Sequence, residues 1–205
     1  MDLTSALFEV TKYYLAAFYT FVAVFYAVRM TLKKRAGQEK VVHAGKTLSA
    51  PWWNYTLFRF FRVAIWIVCV FRCFIPSIDT AIGYFNALTL WPVLLTGILM
   101  ITGSFMFVVQ VHMSCKDNWR SGIDPNGPNN LKTDGLYRYS RNPMFLGIGL
   151  AQLGFFLCLP SVFSLICLAI GWYTLYGQTV AEEKYLSQRF KDDYLTYTQA
   201  VRRWV

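Results

Sequence analysis

The sequence predicts an all-α integral membrane protein of about five transmembrane helices, and three observations carry that expectation. Hydrophobic residues make up 56% of the 205 residues and charged residues only 15%, against roughly 25% charged in a soluble domain. The apolar residues gather into stretches near the ~20 residues that a helical span requires. Basic residues gather between those stretches in an alternating way, as the positive-inside rule demands. A mean hydropathy of +0.36 excludes a disordered chain, and a soluble globule of this size could not bury so much apolar surface. The net charge of +9 then belongs to cytoplasmic loops and anionic lipid surfaces, with no nucleic-acid partner expected.

The first span is centred on the uncharged run Tyr13 to Val28, extended by Phe8 to Lys12. The start, Met1-Asp2-Leu3, lacks the basic region of a cleaved signal peptide, so this stretch is expected to remain as a helix. The second span runs from about Leu57 to Ile75 and is interrupted by Arg59, Arg62 and Arg72. Arg59 and Arg62 can snorkel to one surface, while Arg72 lies near the other surface or faces the bundle. The third, about Ala87 to Val111, has no charge. Asn142 to Ala181 is uncharged and twice a span in length. Leu159-Pro160-Ser161 divides it, because proline disfavours helix before it and Ser161 can cap the helix that follows. The result is a hairpin, Met144–Leu159 and Val162–Val180. Gly147, Gly149 and Gly154 fit either a lipid-facing opening for an acceptor or close helix packing.

Basic residues dominate Arg29 to Lys46, Lys116 to Arg141 and the tail from Lys184, whereas Pro76 to Asn86 has only Asp79. This pattern predicts an outside N-terminus and a cytoplasmic C-terminus and active site. Residues 1–111 read as a three-span membrane region, and residues 112–205 as the region that carries chemistry. Cys69, Cys73, Cys115, Cys158 and Cys167 form no C-x-x-C pair. They read as buried thiols, with no disulfide framework and no metal site.

Three polar segments are candidates for function. His112 to Asn130, with Lys116-Asp117-Asn118-Trp119-Arg120, is long for a connection within a bundle. Leu131 to Gly147 holds Gly135, which permits a turn. It also holds Arg138 and Arg141, which would share a face on a helical turn, and Pro143, suited to a helix start. By charge alone this segment reads as a positive-inside stop followed by a helix. The third is Glu182-Glu183, then Phe190, Tyr194, Tyr197 and Arg202. Two acids directly after a span oppose both the helix dipole and the charge rule, unless the helix simply continues into water.

The ordered pattern Gly135-x-Tyr137-x-x-x-Arg141-Asn142-Pro143-Met144-Phe145-x-Gly147, a hairpin, then Glu182-Glu183-x-x-Leu186-x-x-x-Phe190-x-x-x-Tyr194-x-x-Tyr197 resembles the membrane methyltransferases. These include the isoprenylcysteine carboxyl methyltransferases and the phospholipid N-methyltransferases. The resemblance covers roughly Leu131 to Arg203. Asn142 stands where that group has histidine, Phe145 where it has tyrosine and Lys191 where it has glycine, so no histidine base is available at position 142. The resemblance implies methyl transfer from S-adenosylmethionine to a lipid or prenylated acceptor entering from the bilayer. It implies catalytic roles for Arg141, Glu183 and Arg138. It implies cofactor contacts from Leu131, Thr133, Gly135, Tyr137, Asn142, Pro143, Glu182, Tyr194, Tyr197 and Arg202. Arg141 and Glu183 are expected to meet at one end of the hairpin, and either acid can serve the cofactor's ammonium or ribose. A prenylcysteine-type carboxylate is the first acceptor expected, since it is already ionised and Arg138 or Arg141 could hold it. A phosphatidylethanolamine amine would need a carboxylate base. A nicotinamide-dependent sterol-type reductase and a non-enzymatic membrane scaffold are the competing readings.

Overall fold

A computed structural model of the chain describes residues 3–35, 42–43, 45–115, 121–124 and 127–205. The candidate segment Lys116–Arg120, the turn residues Pro125 and Asn126, and the charges of Glu39 and Lys40 lie outside the described residues. The helices are α1 (Leu3–Arg35), α2 (Ala50–Phe71), the short α3 (Ser77–Ala81), α4 (Trp91–Cys115), α5 (Pro143–Cys158) and α6 (Val162–Ala200), with 3-10 turns at Asn86–Leu88 and Gly135–Arg138. Two short strands, β1 (Val42–His43) and β2 (Ser121–Gly122), pair in parallel.

Four helices, α1, α2, α4 and α6, are long and apolar enough to cross a membrane. The fourth span expected from the sequence is the shorter α5, whose 16 residues rise only about 24 Å, less than the ~30 Å hydrocarbon core. Prolines limit it at both ends. Pro143 takes the first turn, where its missing N–H costs nothing, and Pro160 follows the end. The turn into α6 is a capping box. Ser161 Oγ accepts the Ser164 N–H at 3.2 Å, and Ser164 Oγ accepts the Ser161 N–H at 3.1 Å. The Val162 and Phe85 N–H groups close the turn against Gly83 and Pro160 carbonyls at 2.8 and 2.9 Å.

Glycine decides how α4 and α5 meet. A Cβ on Gly97 would lie 2.6 Å from the Cys158 amide nitrogen, one on Gly154 2.8 Å from the Ile101 nitrogen, and one on Gly147 2.7 Å from Val108 Cγ2. Gly147 and Gly154 therefore serve close packing, which corrects the alternative that they leave an acceptor opening. Gly149 has more room, its nearest neighbour being Trp172 Nε1 at 3.6 Å. The core between the helices holds Leu15, Ile65, Ile101 and Phe155 with the thiols of Cys69, Cys158 and Cys167. All five cysteines are free, but only Cys69, Cys158 and Cys167 are buried; Cys73 and Cys115 are half-buried, which corrects the expectation of five buried thiols.

Arg72 satisfies both expectations made for it. It sits at the bundle end that carries the hairpin turn, and it faces inward, only 1% exposed. Its Nε donates to Asp79 Oδ1 at 2.6 Å, its Nη2 donates to the Tyr84 hydroxyl, and Lys12 lies 3.6 Å from the same aspartate. At the other end of the bundle, α6 continues past its apolar part as one 39-residue helix. Glu182 and Glu183 thus lie inside a helix and not at its C-terminus, so the dipole argument made for them does not apply. The amphipathic continuation is what occurs. The helix kinks at Lys191, whose φ of 42° and ψ of −111° are non-helical.

Candidate active site

The kink turns the last part of α6 and the tail back onto the segment before α5. The Arg141 N–H donates to the Arg202 carbonyl at 3.0 Å. Ser140 Oγ and Asn142 Nδ2 both donate to the Arg203 carbonyl at 3.3 Å. The Tyr197 hydroxyl donates to the Tyr137 carbonyl at 2.7 Å. Gly135 starts the clamped stretch with φ of +61°, a left-handed conformation that glycine adopts without Cβ strain.

Glu183 ties this clamp together. Its Oε2 accepts from Arg203 Nε and Nη2 at 3.1 and 2.9 Å, and its Oε1 accepts from Asn142 Nδ2 at 3.0 Å with Arg141 Nη2 at 3.6 Å. Three hydrogen bonds and the nearby Arg141 guanidinium engage both oxygens of this carboxylate, so Glu183 acts as a strut. Asn142 explains its own departure from the family pattern, since its amide bridges Glu183 and the tail.

Glu182 is placed differently. Its Oε1 accepts one neutral hydrogen bond, from Gln178 Nε2 at 2.9 Å, and it faces a cavity of about 710 Å³. It keeps some accessible surface there, yet protein closes round it. Burial, opposed only by the Gln178 hydrogen bond, pushes its carboxyl up to about 7. The cavity lies between α2, α5 and α6 beneath the polar segments. Arg141 and Tyr194 share its wall. Arg141 Nε is buried without a hydrogen-bond partner, and the Tyr194 hydroxyl lies beside Arg141 but makes no well-formed hydrogen bond. Burial raises the phenols of Tyr194 and Tyr197 to about 12 and that of Tyr137 further. All three stay neutral at physiological pH.

Of the residues expected from the sequence, Leu131, Tyr137, Arg141, Asn142, Glu182, Tyr194 and Tyr197 line the cavity. Glu183 and Arg202 stand behind the wall, Arg202 through its backbone carbonyl. Pro143 is buried at the start of α5, and Thr133 and Gly135 are exposed. Arg138 is exposed and outside the cavity. The 3-10 turn ends at Arg138 and no helix runs on to Arg141, so the helical face expected to carry both arginines does not form.

Sequence reasoning missed Arg203 and Gln178, which had no motif to mark them. It noted Arg59 and Arg62 only as interruptions of a span, yet both line the cavity from α2. On the same side Tyr26 of α1 meets His112 of α4, hydroxyl to Nε2, at 3.3 Å. His43 and Asp124 approach to 3.8 Å near the paired strands. Phe58, Ile148 and Leu175 add an apolar strip to the cavity's lining.

An all-helical, multi-pass membrane protein with a polar chamber at one end of an apolar bundle is the class that fold and site define. Residues 92–193, from α4 through the kink of α6, match the phospholipid methyltransferase family, and this region of the chain belongs to that family. The protein is thus of a membrane methyltransferase family whose members act on lipid-type substrates. No curated protein and no solved structure matches the chain.

Proposed function

We propose that the protein transfers a methyl group from S-adenosylmethionine to the amine of a lipid head group, within the chamber walled by Arg141, Glu182 and Tyr194. The observation that carries this reading is the division of labour between adjacent acids. Glu183 is consumed in holding the clamp, while Glu182 faces the chamber with one weak partner. The chamber fits the cofactor's chemistry. Its volume lies within the roughly 300–1,000 Å³ common for small-molecule sites. Arg141 brings a guanidinium with an unused N–H to a carboxylate. The neutral rings of Tyr137, Tyr194 and Tyr197 suit a cation.

When bound, S-adenosylmethionine supplies an electrophilic methyl whose C–S bond breaks with its electron pair left on sulfur. The protein's share is positioning and proton transfer. Glu182 as carboxylate takes a proton from the acceptor's ammonium and frees the nitrogen lone pair to form the new N–C bond. A carboxyl poised near 7 suits that task. The apolar strip holds the acceptor's chains out of water. The prenylcysteine-type carboxylate expected first needs no base, and Arg138, one of the two arginines assigned to it, lies outside the chamber.

Calorimetric titration of the purified protein with S-adenosylmethionine, S-adenosylhomocysteine and NADPH tests the cofactor. Transfer of labelled methyl to phosphatidylethanolamine or to a prenylcysteine in vesicles tests the acceptor. Binding of NADPH alone would support the reductase reading instead.

A further inference from the structure

Arg59 and Arg62 stand three residues apart on α2, and both line the chamber. They lie about 14 and 18 Å along a helix that is apolar enough to cross a membrane. A charge at such a position is costly and marks a functional site by default. Neither arginine forms an ion pair among the described residues. The Arg62 guanidinium lies 5.4 Å from the centre of the Tyr26 ring, and Tyr26 is in turn held by His112. The chamber's two carboxyls are engaged elsewhere, Asp124 beside His43 and Glu182 with Gln178. Among the described residues this wall is therefore cationic, accessible and without a counter-charge. Both arginines are exposed and both border the chamber, so the surface they reach is the one the chamber opens on.

We propose that Arg59 and Arg62 form an anion subsite that holds the phosphate of the acceptor's head group, with Tyr26 as the platform that orients Arg62. The inference rests on the lipid methyl-transfer reading and names the part of the acceptor that α2 recognises. Paired guanidiniums match the two non-bridging oxygens of a phosphodiester. A reacting carboxylate suits them less, because its nucleophilic oxygens would be tied up by the donors. A phosphate is remote from the reacting nitrogen, so holding it orients the head group without touching the chemistry. The cofactor's own carboxylate shares this anionic chemistry and is the rival occupant.

The test uses the full chain in detergent, saturated with S-adenosylhomocysteine so that binding is read without turnover. Dihexanoyl-phosphatidylethanolamine and the phosphate-free dihexanoylglycerol are titrated into wild type, R59Q, R62Q and R59K/R62K. The expected result is phospholipid affinity weakened about tenfold or more in each glutamine variant, as for a lost charge-assisted contact. Affinity for the glycerolipid and for S-adenosylhomocysteine stays within twofold, and the lysine variant recovers part of the loss. Equal phospholipid binding in all variants, or none in wild type, overturns the subsite. Weakened S-adenosylhomocysteine with unchanged phospholipid also overturns it and gives the arginines to the cofactor. If wild type binds phospholipid through these arginines but binds no S-adenosylhomocysteine, the subsite stands and the methyl-transfer reading falls.

Discussion

Glu182 and Glu183 are neighbours in sequence with opposite fates. Glu182→Gln keeps the Gln178 contact and removes the titration, and it is expected to lower kcat by about 10²–10⁴-fold with the fold intact. Steady-state methyl transfer checks this, and wild-type kcat/KM should rise with pH through about 7 as Glu182 of the ligand-free protein ionises. Stability runs the other way. A carboxyl raised from 4.5 to about 7 on folding gives stability that is full below about 4.5 and is lost as pH rises through about 7. The ligand-free wild type should therefore melt lower at pH 8 than at pH 5, with a smaller change in E182Q. Glu183→Ala leaves Arg203, Asn142 and Arg141 without their acceptor. A loss of about 1–3 kcal/mol is expected, tempered by the partial exposure of Arg203, and a thermal scan would reveal it. Lys191 holds a backbone conformation that favours glycine. Lys191→Gly should relieve about 1 kcal/mol of strain and raise the melting temperature. An unchanged or lower value would mean that the kink is not strained.

At the scale of elements, backbone approach governs the α4–α5 pair. Gly154→Leu would drive a side chain into the Ile101 backbone and the Gly97 carbonyl, and overpacking of this kind costs about 1–3 kcal/mol or more. Thermal stability and S-adenosylhomocysteine binding should fall together. Gly149→Ala, with no atom closer than 3.6 Å, should leave both unchanged. A Gly154→Leu variant of normal stability that lost only acceptor affinity would give Gly154 to an acceptor opening instead. α6 illustrates why its boundary was hard to read. Hydropathy ends at Val180, but polar residues continue the same helix in water at little cost, so a span's end and a helix's end need not coincide.

For the whole molecule, the chamber's helical walls come from one end of the bundle: the end of α1, the first half of α2, the end of α4, the start of α5 and α6 from its middle to its last turns, with the segment before α5 closing it. The alternating loop charges favour the cytoplasm for that end. A cysteine introduced for Val205 should react with an impermeant maleimide only after the membrane is opened, and one for Thr80 before it. The native thiols would first be removed, and the opposite pattern would invert the topology. The all-helical membrane class, the capped hairpin at Ser161, the burial of three of the five thiols and the meeting of Arg141 with Glu183 were legible in the sequence. They follow from local signals, namely apolar run length, a proline, a cap and a motif. Tertiary structure alone decided which acid faces the chamber, that Arg138 lies outside it, and that Arg59, Arg62 and Arg203 join the site. Those outcomes depend on how distant segments rotate and fold back, through the left-handed Lys191 and the glycine contacts of α4 and α5. Side-chain direction set by long-range packing has no signature in a run of neighbouring residues.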